Sequence, residues 1–405
     1  MISQKTKSIT IVEALILIAL ISTPIFTFQE SISLILPEGR AYINTSSTIT
    51  HMYIKGIKDL FFISIILICF LKIIDTLSIR YSTAYFLMAI FLLILLPAYY
   101  YHSHTLVYLA GVRWLLPFIL IAFLFGHIDK ELLERIGTIL FYLFIFHFIF
   151  HVIQFIFSYG YFGLNSIGLS KRNPGIFYIP STAAVFSIIT LFFSKFYMRK
   201  NLEKKIFYLI PISILLTSSG TGVAVYIFFF VVYYIQNNYL KLLPIILVFS
   251  GIVLLIVLDY FPGRTGLVEQ SLGPRYVHLK QALIHATFLP QYFGYGTSTI
   301  DLINNKFNTG LILPMTDSFL ASFLVNLGII NTLLVTTLLT VIFFKLVYSQ
   351  DKEMLIFLII FSLIALTTSI TESYPVNLLF SVLVAYYVDP KNYNERRPNK
   401  SVLNK

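Results

Sequence analysis

The sequence predicts an all-α polytopic membrane protein, with about 12 transmembrane helices and one large loop between the ninth and the tenth. Three observations predict it. Of the 405 residues, 58% are hydrophobic and only 12% are charged, whereas soluble domains carry about 25% charged residues. Apolar runs repeatedly reach roughly 18 residues or more, the length that crosses about 30 Å of hydrocarbon. One long stretch, 260–326, lacks that pattern and gathers cations, histidines, glycines and a carboxylate.

The expected spans are 11–28, 57–74, 83–101, 106–126, 134–157, 176–196, 205–218, 221–237, 242–260, 327–347, 353–370 and 374–390. The first follows Lys5 and Lys7 but shows no small-residue cleavage site, so it reads as a retained span. Cys69, the single cysteine, lies within the second span and leaves no partner for an intrachain disulfide. His147, His151 and Gln154 share a face of the fifth. A metal there would need further ligands, and no nearby Cys or Glu supplies them. The stripe is therefore expected to face the bundle interior. Thr217-Ser218-Ser219-Gly220-Thr221-Gly222 joins spans seven and eight, where small residues permit close helix approach. Two D-x-E triplets, at Asp129 and Asp351, sit at helix starts, where acids suit the dipole, and read as structural.

The net charge of +11 sits mostly in short loops, where it orients helices and gives no ground for nucleic-acid binding. Twelve crossings put both termini on one side. Taking that side as cytoplasmic gives it 19 of the 29 Lys and Arg, including the runs Lys195–Lys205 and Lys391–Lys405. Nine face the other way and Arg113 lies within a span. The positive-inside rule supports this orientation. The chain is then a single integral membrane domain, 1–405, with 260–326 facing the periplasm if the cell has an outer membrane. Shorter outward segments run over 29–56 and 158–175.

Within the large loop, the spacing predicts a helix over Arg275 to Thr287. Tyr276, Leu279 and Leu283 form its apolar side, and Arg275, His278, Gln281 and His285 the other. After Pro314, Asp317-Ser318 starts a second helix, whose Phe319, Leu320, Phe323 and Leu324 are expected to lie against the membrane.

The residues that carry chemistry point to an anionic ligand on the outward face. Arg113 stands about two turns inside the fourth span, where an arginine usually faces a cavity or a partner. Lys171-Arg172-Asn173-Pro174-Gly175 closes an outward loop, and Arg264 and Arg275 lie in the large one. A guanidinium offers a planar fork of donors that matches phosphate oxygens. Asp317 reads either as an N-cap or as a general base, and one residue serves both purposes. No P-loop, Rossmann or nucleophile-elbow signature is present. Tyr99-Tyr100-Tyr101 and Tyr292-Phe293 offer flat surfaces for sugar rings, although an interface belt explains outward tyrosines equally well.

On these motifs the chain resembles the O-antigen polymerase and O-antigen ligase group of bacterial inner-membrane glycosyltransferases. The resemblance rests on Arg172-Asn173-Pro174-Gly175-Ile176-Phe177 followed by Pro180, and on Arg275 followed by Pro290 and Gly294-Tyr295-Gly296. A third segment, Asp317-Ser318-Phe319-Leu320, precedes Gly328. Ligases commonly carry His-Asn where this chain has Asp317-Ser318, and often an arginine where it has Gly220-Thr221-Gly222. These departures favour a polymerase.

The resemblance implies transfer of a growing undecaprenyl-pyrophosphate-linked glycan onto a lipid-linked repeat unit, with the bilayer and a chain-length regulator protein as partners. It implies Asp317 and Arg275 as catalytic residues. Arg172, Arg264, Arg113, His278, Lys280, Gly294 and Gly296 would bind substrate. No cofactor or metal is expected, because arginines neutralise the pyrophosphate. The rival readings are the ligase, a transporter of a lipid-linked oligosaccharide and a non-catalytic partner binding the same lipid. A transporter would usually show paired halves and broken helices near the midplane, and no matching halves are visible.

Overall fold

The computed structural model describes residues 10–27, 48–76, 82–101, 105–157, 173–177, 180–217, 219–234, 273–297, 319–349, 352–367, 370–389 and 392. Every regular element among them is a helix. In chain order these are α1 (Ile11–Ile21), α2 (Thr48–Thr76), α3 (Ser82–Tyr101), α4 (Thr105–Leu124), α5 (Lys130–Phe157) and α6 (Pro180–Phe196). There follow α7 (Lys200–Phe207), α8 (Leu209–Leu216), α9 (Gly220–Tyr234), α10 (Gly273–His285), α11 (Phe319–Ser349) and α12 (Lys352–Thr367). A 3-10 turn, Ile370–Glu372, leads into α13 (Val376–Val388). The segments Thr105–Leu124 and Lys130–Ile156 are long and apolar enough to cross a membrane. The expected span 242–260 lies outside the described residues.

Helix ends follow local chemistry. Thr10 and Glu13 form a reciprocal capping box at the start of α1, each accepting the other's backbone N–H at 3.2 Å. Asp129 Oδ1 accepts the Leu132 N–H at 2.9 Å ahead of α5, so the first D-x-E triplet caps a helix. Glu353 of the second triplet accepts hydrogen bonds from the Tyr197 and Tyr387 hydroxyls. Tyr197 lies just past α6, and burial followed by the Glu353 charge pushes its phenol well above the usual value of 10.0.

One expected span is broken, and the expected boundary before the tenth is marked by a kink. The stretch 205–218 is interrupted at Tyr208, which divides polar α7 from apolar α8. Within α11, Gly328 takes φ 74, a left-handed conformation, and kinks the helix. The freed N–H groups of Ile329 and Ile330 donate to the Thr287 and Phe288 carbonyls at 2.8 and 3.4 Å. The N-terminus of the second half of α11 is thereby satisfied by protein.

Helix α4 packs against α2, α3, α13 and the 3-10 turn. The main core includes Ile16, Phe144, Phe186, Phe193, Phe357 and Leu378. A smaller cluster joins Trp114 and Leu115 of α4 to Phe293, Phe323 and Leu327. A third joins Val107 and Ala282 to Tyr295, Ala321 and Val325. These two minor clusters fasten α10 and the segment behind it to α4 and α11.

Two expectations about these elements are corrected. The start of α11 packs inward rather than lying on a membrane: Phe319 sits 4.4 Å from Phe323 between ring centroids, and both rings contact Trp114 and Phe118. On α10 the packed side carries Leu279 and Ala282, whereas Leu283 is exposed.

Candidate functional site

Two glycine-containing turns are held against the bundle, and both belong to segments on which the sequence resemblance rests. The first is Asn173–Phe177. Gly175 takes φ 62, a conformation that costs a residue with Cβ. Gln154 of α5 grips it from both sides: Gly175 N–H donates to Oε1 at 2.7 Å, and Nε2 donates to the Gly175 carbonyl at 2.8 Å. Ile176 N–H donates to His147 Nδ1 at 3.3 Å, and Asn173 N–H to the Leu216 carbonyl at 3.2 Å.

The side chains of His147, His151 and Gln154 are buried, as the sequence reading expected of an interior-facing stripe. Because His147 Nδ1 accepts, the neutral ring carries its proton on Nε2. His151 Nδ1 lies 3.0 Å from Ser213 Oγ, which is 3.0 Å from Ser187 Oγ, and Ser187 donates to the Ala183 carbonyl. One proton per hydroxyl fixes the order: Ser213 donates to Ser187, and His151 donates to Ser213 through Nδ1–H. The adjacent rings, 4.1 Å apart between centroids, therefore take opposite tautomers. Among the described residues no group of three or more His, Cys, Asp or Glu side chains is placed to hold a metal ion.

The second turn is Pro290–Thr297. Asn326 of α11 presents Oδ1 to two backbone donors, Gly294 N–H and Gly296 N–H, each at 3.0 Å. Gly294 takes φ 92, and a Cβ there would stand 1.9 Å from the Val107 carbonyl oxygen. The Phe293 ring is buried against Gly111 of α4, whose substituent would meet it at 2.4 Å. Phe293 is thus a packing residue rather than a sugar platform. Both glycine amides donate to Asn326, which docks the loop on α11.

The expected cations are placed unevenly. Arg113 Nε pairs with Asp59 of α2 at 2.7 Å, with both side chains partly exposed. The pair joins α2 and α4. Lys280 is exposed on α10, and Arg275 and His278 occupy the first two turns of that helix. Arg172, Arg264 and Asp317 lie outside the described residues. Tyr99, Tyr100 and Tyr101 form an exposed aromatic group at the end of α3.

Asn326 was missed by the sequence reading, because nothing in a chain of apolar residues marks one asparagine as the partner of glycines some thirty positions away. The small-residue turn behaves as expected: a Cβ on Gly222 would come within 2.6 Å of Ala184 Cβ, so α9 and α6 approach closely there. No family model, characterised protein or solved structure matches this chain.

Proposed function

We propose that the chain is a multi-pass protein of the bacterial inner membrane, both termini cytoplasmic, that polymerises a surface glycan on its lipid carrier. The membrane part of this reading is supported by the large apolar side chains left exposed along helix after helix. They include Ile18, Leu67, Leu93, Leu96, Ile149 and Leu333. Such a surface suits hydrocarbon and would aggregate in water. Twelve spans follow from the apolar runs of the sequence.

The observation that carries the enzymatic part is the pair of clamped turns. Each turn has its main chain held by a buried amide side chain, which supports segments that must present charged neighbours in a fixed place. Arg172 immediately precedes the first turn, and Arg275 lies on the helix that leads into the second. In the proposed reaction these guanidinium groups hold the donor pyrophosphate. An acceptor sugar hydroxyl attacks the anomeric carbon of the growing chain, the bond from that carbon to phosphate oxygen breaks, and undecaprenyl pyrophosphate leaves. Asp317 takes the hydroxyl proton. Arginine charge at the leaving group is the main source of rate, because a glycosyl pyrophosphate is already activated.

The test is a lipopolysaccharide banding pattern beside a membrane blot. A deletion strain is expected to leave one-repeat molecules. Polymer that accumulates on the carrier lipid without reaching lipid A-core would indicate the ligase instead. Asp317→Asn retains capping ability, since asparagine caps about as well as aspartate. It is expected to reach the membrane normally and yet give only single repeats. A full ladder from that variant would remove Asp317 from the mechanism.

A further inference from the structure

Helix α10 carries a surface that the proposed reaction does not use. Its packed side, Leu279 and Ala282, rests on α11 and on Tyr295. On the free side Leu283 and Ile284 are 58% and 68% exposed, and Phe288, three residues past the helix end, is 72% exposed. Lys280 and Ile284 stand four apart on α10, so they share one stripe with a cation at its upstream end, and Phe288 follows in the segment just past the helix. The apolar end does not stop at the loop. Ile330 N–H bonds the Phe288 carbonyl, and from Ile330 the exposed apolar surface continues through Leu333 and Leu334 of α11.

We propose that this stripe is a docking surface for the outer leaflet of the membrane, with Leu283, Ile284 and Phe288 among the acyl chains and Lys280 at the headgroup phosphates. The inference rests on the membrane reading above and adds to it. Two observations select lipid over a partner protein. The surface is continuous with the apolar flank of α11, which is a lipid-facing flank in that reading. Lys280 at the upstream end of the apolar stripe also suits a side chain whose stem lies along apolar surface while its charge reaches the headgroups. Docked in this way, the first turns of α10, which hold Arg275 and His278, lie at the level of lipid phosphates. An anionic lipid substrate then meets these turns by moving laterally within the leaflet, without leaving the membrane.

The experiment uses the full chain in lipid nanodiscs and exploits its one tryptophan, Trp114, which is buried and sets a constant background. Leu283→Trp and Phe288→Trp are each compared with Leu333→Trp, using lipids brominated on the acyl chains as quenchers. The expected result is blue-shifted emission and a loss of intensity on brominated lipid comparable with that of Leu333→Trp. Lys280→Trp should be quenched less. Red-shifted, unquenched emission from both the Leu283 and the Phe288 variants would overturn the proposal by placing this surface in water. Blue-shifted but unquenched emission would overturn it in favour of burial against another protein surface. Failure of Leu333→Trp to be quenched would sink the membrane reading itself. Glycan synthesis is not needed for any of these readouts, so loss of the polymerase reading would leave the result intact.

Discussion

The turn at Gly175 and the turn at Gly294 solve the same problem with the same chemical group, the first using both its halves and the second only its oxygen. Each turn contains a glycine with positive φ, pressed into the bundle where its backbone polar groups lose water. At Gly175 a single Gln154 amide satisfies both the donor and the acceptor of one residue. At Gly294 only the oxygen of Asn326 is used, shared by two donors two residues apart. The longer glutamine side chain reaches alongside the turn and pairs with it as a second backbone would. The shorter asparagine meets the turn end-on, and its oxygen sits in a shallow nest of N–H groups. The first turn is therefore keyed to the identity of an amide, and the second to the presence of an acceptor. Surroundings differ as well: the first turn leans on a histidine, the second on a carbonyl of α4 and on the α11 kink.

The largest effect is expected where backbone meets backbone. In Gly294→Ala the new methyl would lie 1.9 Å from the Val107 oxygen at φ 92, and neither partner is a side chain that can turn away. The variant should lose the fastening of α10 to α4, with a clear drop in thermal midpoint in nanodiscs. Gly175→Ala meets the His147 ring at 2.3 Å and also has an unfavourable φ, so it should be destabilised less, because a ring can shift. Equal midpoints for the two variants would show that the contact partner does not matter.

Next come the amides. Asn326→Leu and Gln154→Leu each remove two hydrogen bonds to buried backbone groups, at about 1–3 kcal/mol per group. Amide hydrogen exchange should rise at Gly294 and Gly296 in the first and at Gly175 in the second. The comparison sharpens with isosteric acids. Asn326→Asp keeps the acceptor that does the bonding, whereas Gln154→Glu loses the donor to the Gly175 carbonyl. The asparagine site should retain more exchange protection than the glutamine site, and the reverse order would refute the division drawn above.

A smaller effect is expected at His147. Asparagine places an oxygen near where Nδ1 stands, so His147→Asn should keep Ile176 protected from exchange while His147→Phe should not. If both behave alike, the Nδ1 contact is not what holds Ile176. The smallest change is expected from Asp59→Asn. The Arg113–Asp59 pair is partly exposed, and such pairs contribute about 0.2–1 kcal/mol. A shift in thermal midpoint as large as that of Gln154→Leu would mean that the pair is buried in the membrane-embedded protein.

The helices were legible in the sequence because apolar runs of membrane length admit few alternatives to a helix that satisfies its own backbone. The interior-facing stripe His147, His151 and Gln154 was legible for a similar reason, since polar side chains on an apolar helix avoid lipid. The break at Tyr208 was hidden inside an apolar run that looks continuous from composition, whereas the kink at Gly328 falls at the expected start of the tenth span. Arg113 was visible as an unusual residue, but its partner on α2 was not.

By itself the sequence determined the helical class, the positions of most helices and the segments dense in polar residues. Those properties depend on groups within a few turns of each other and on the preference of apolar surface for an apolar medium. Only the tertiary structure decided what the glycines are for. Gly294 and Gly296 offered their amides equally well to a phosphate or to a neighbour, and the packing of α11 brought the Asn326 oxygen to them. A buried N–H takes the acceptor that the fold delivers, and proximity of that kind is a property of three dimensions.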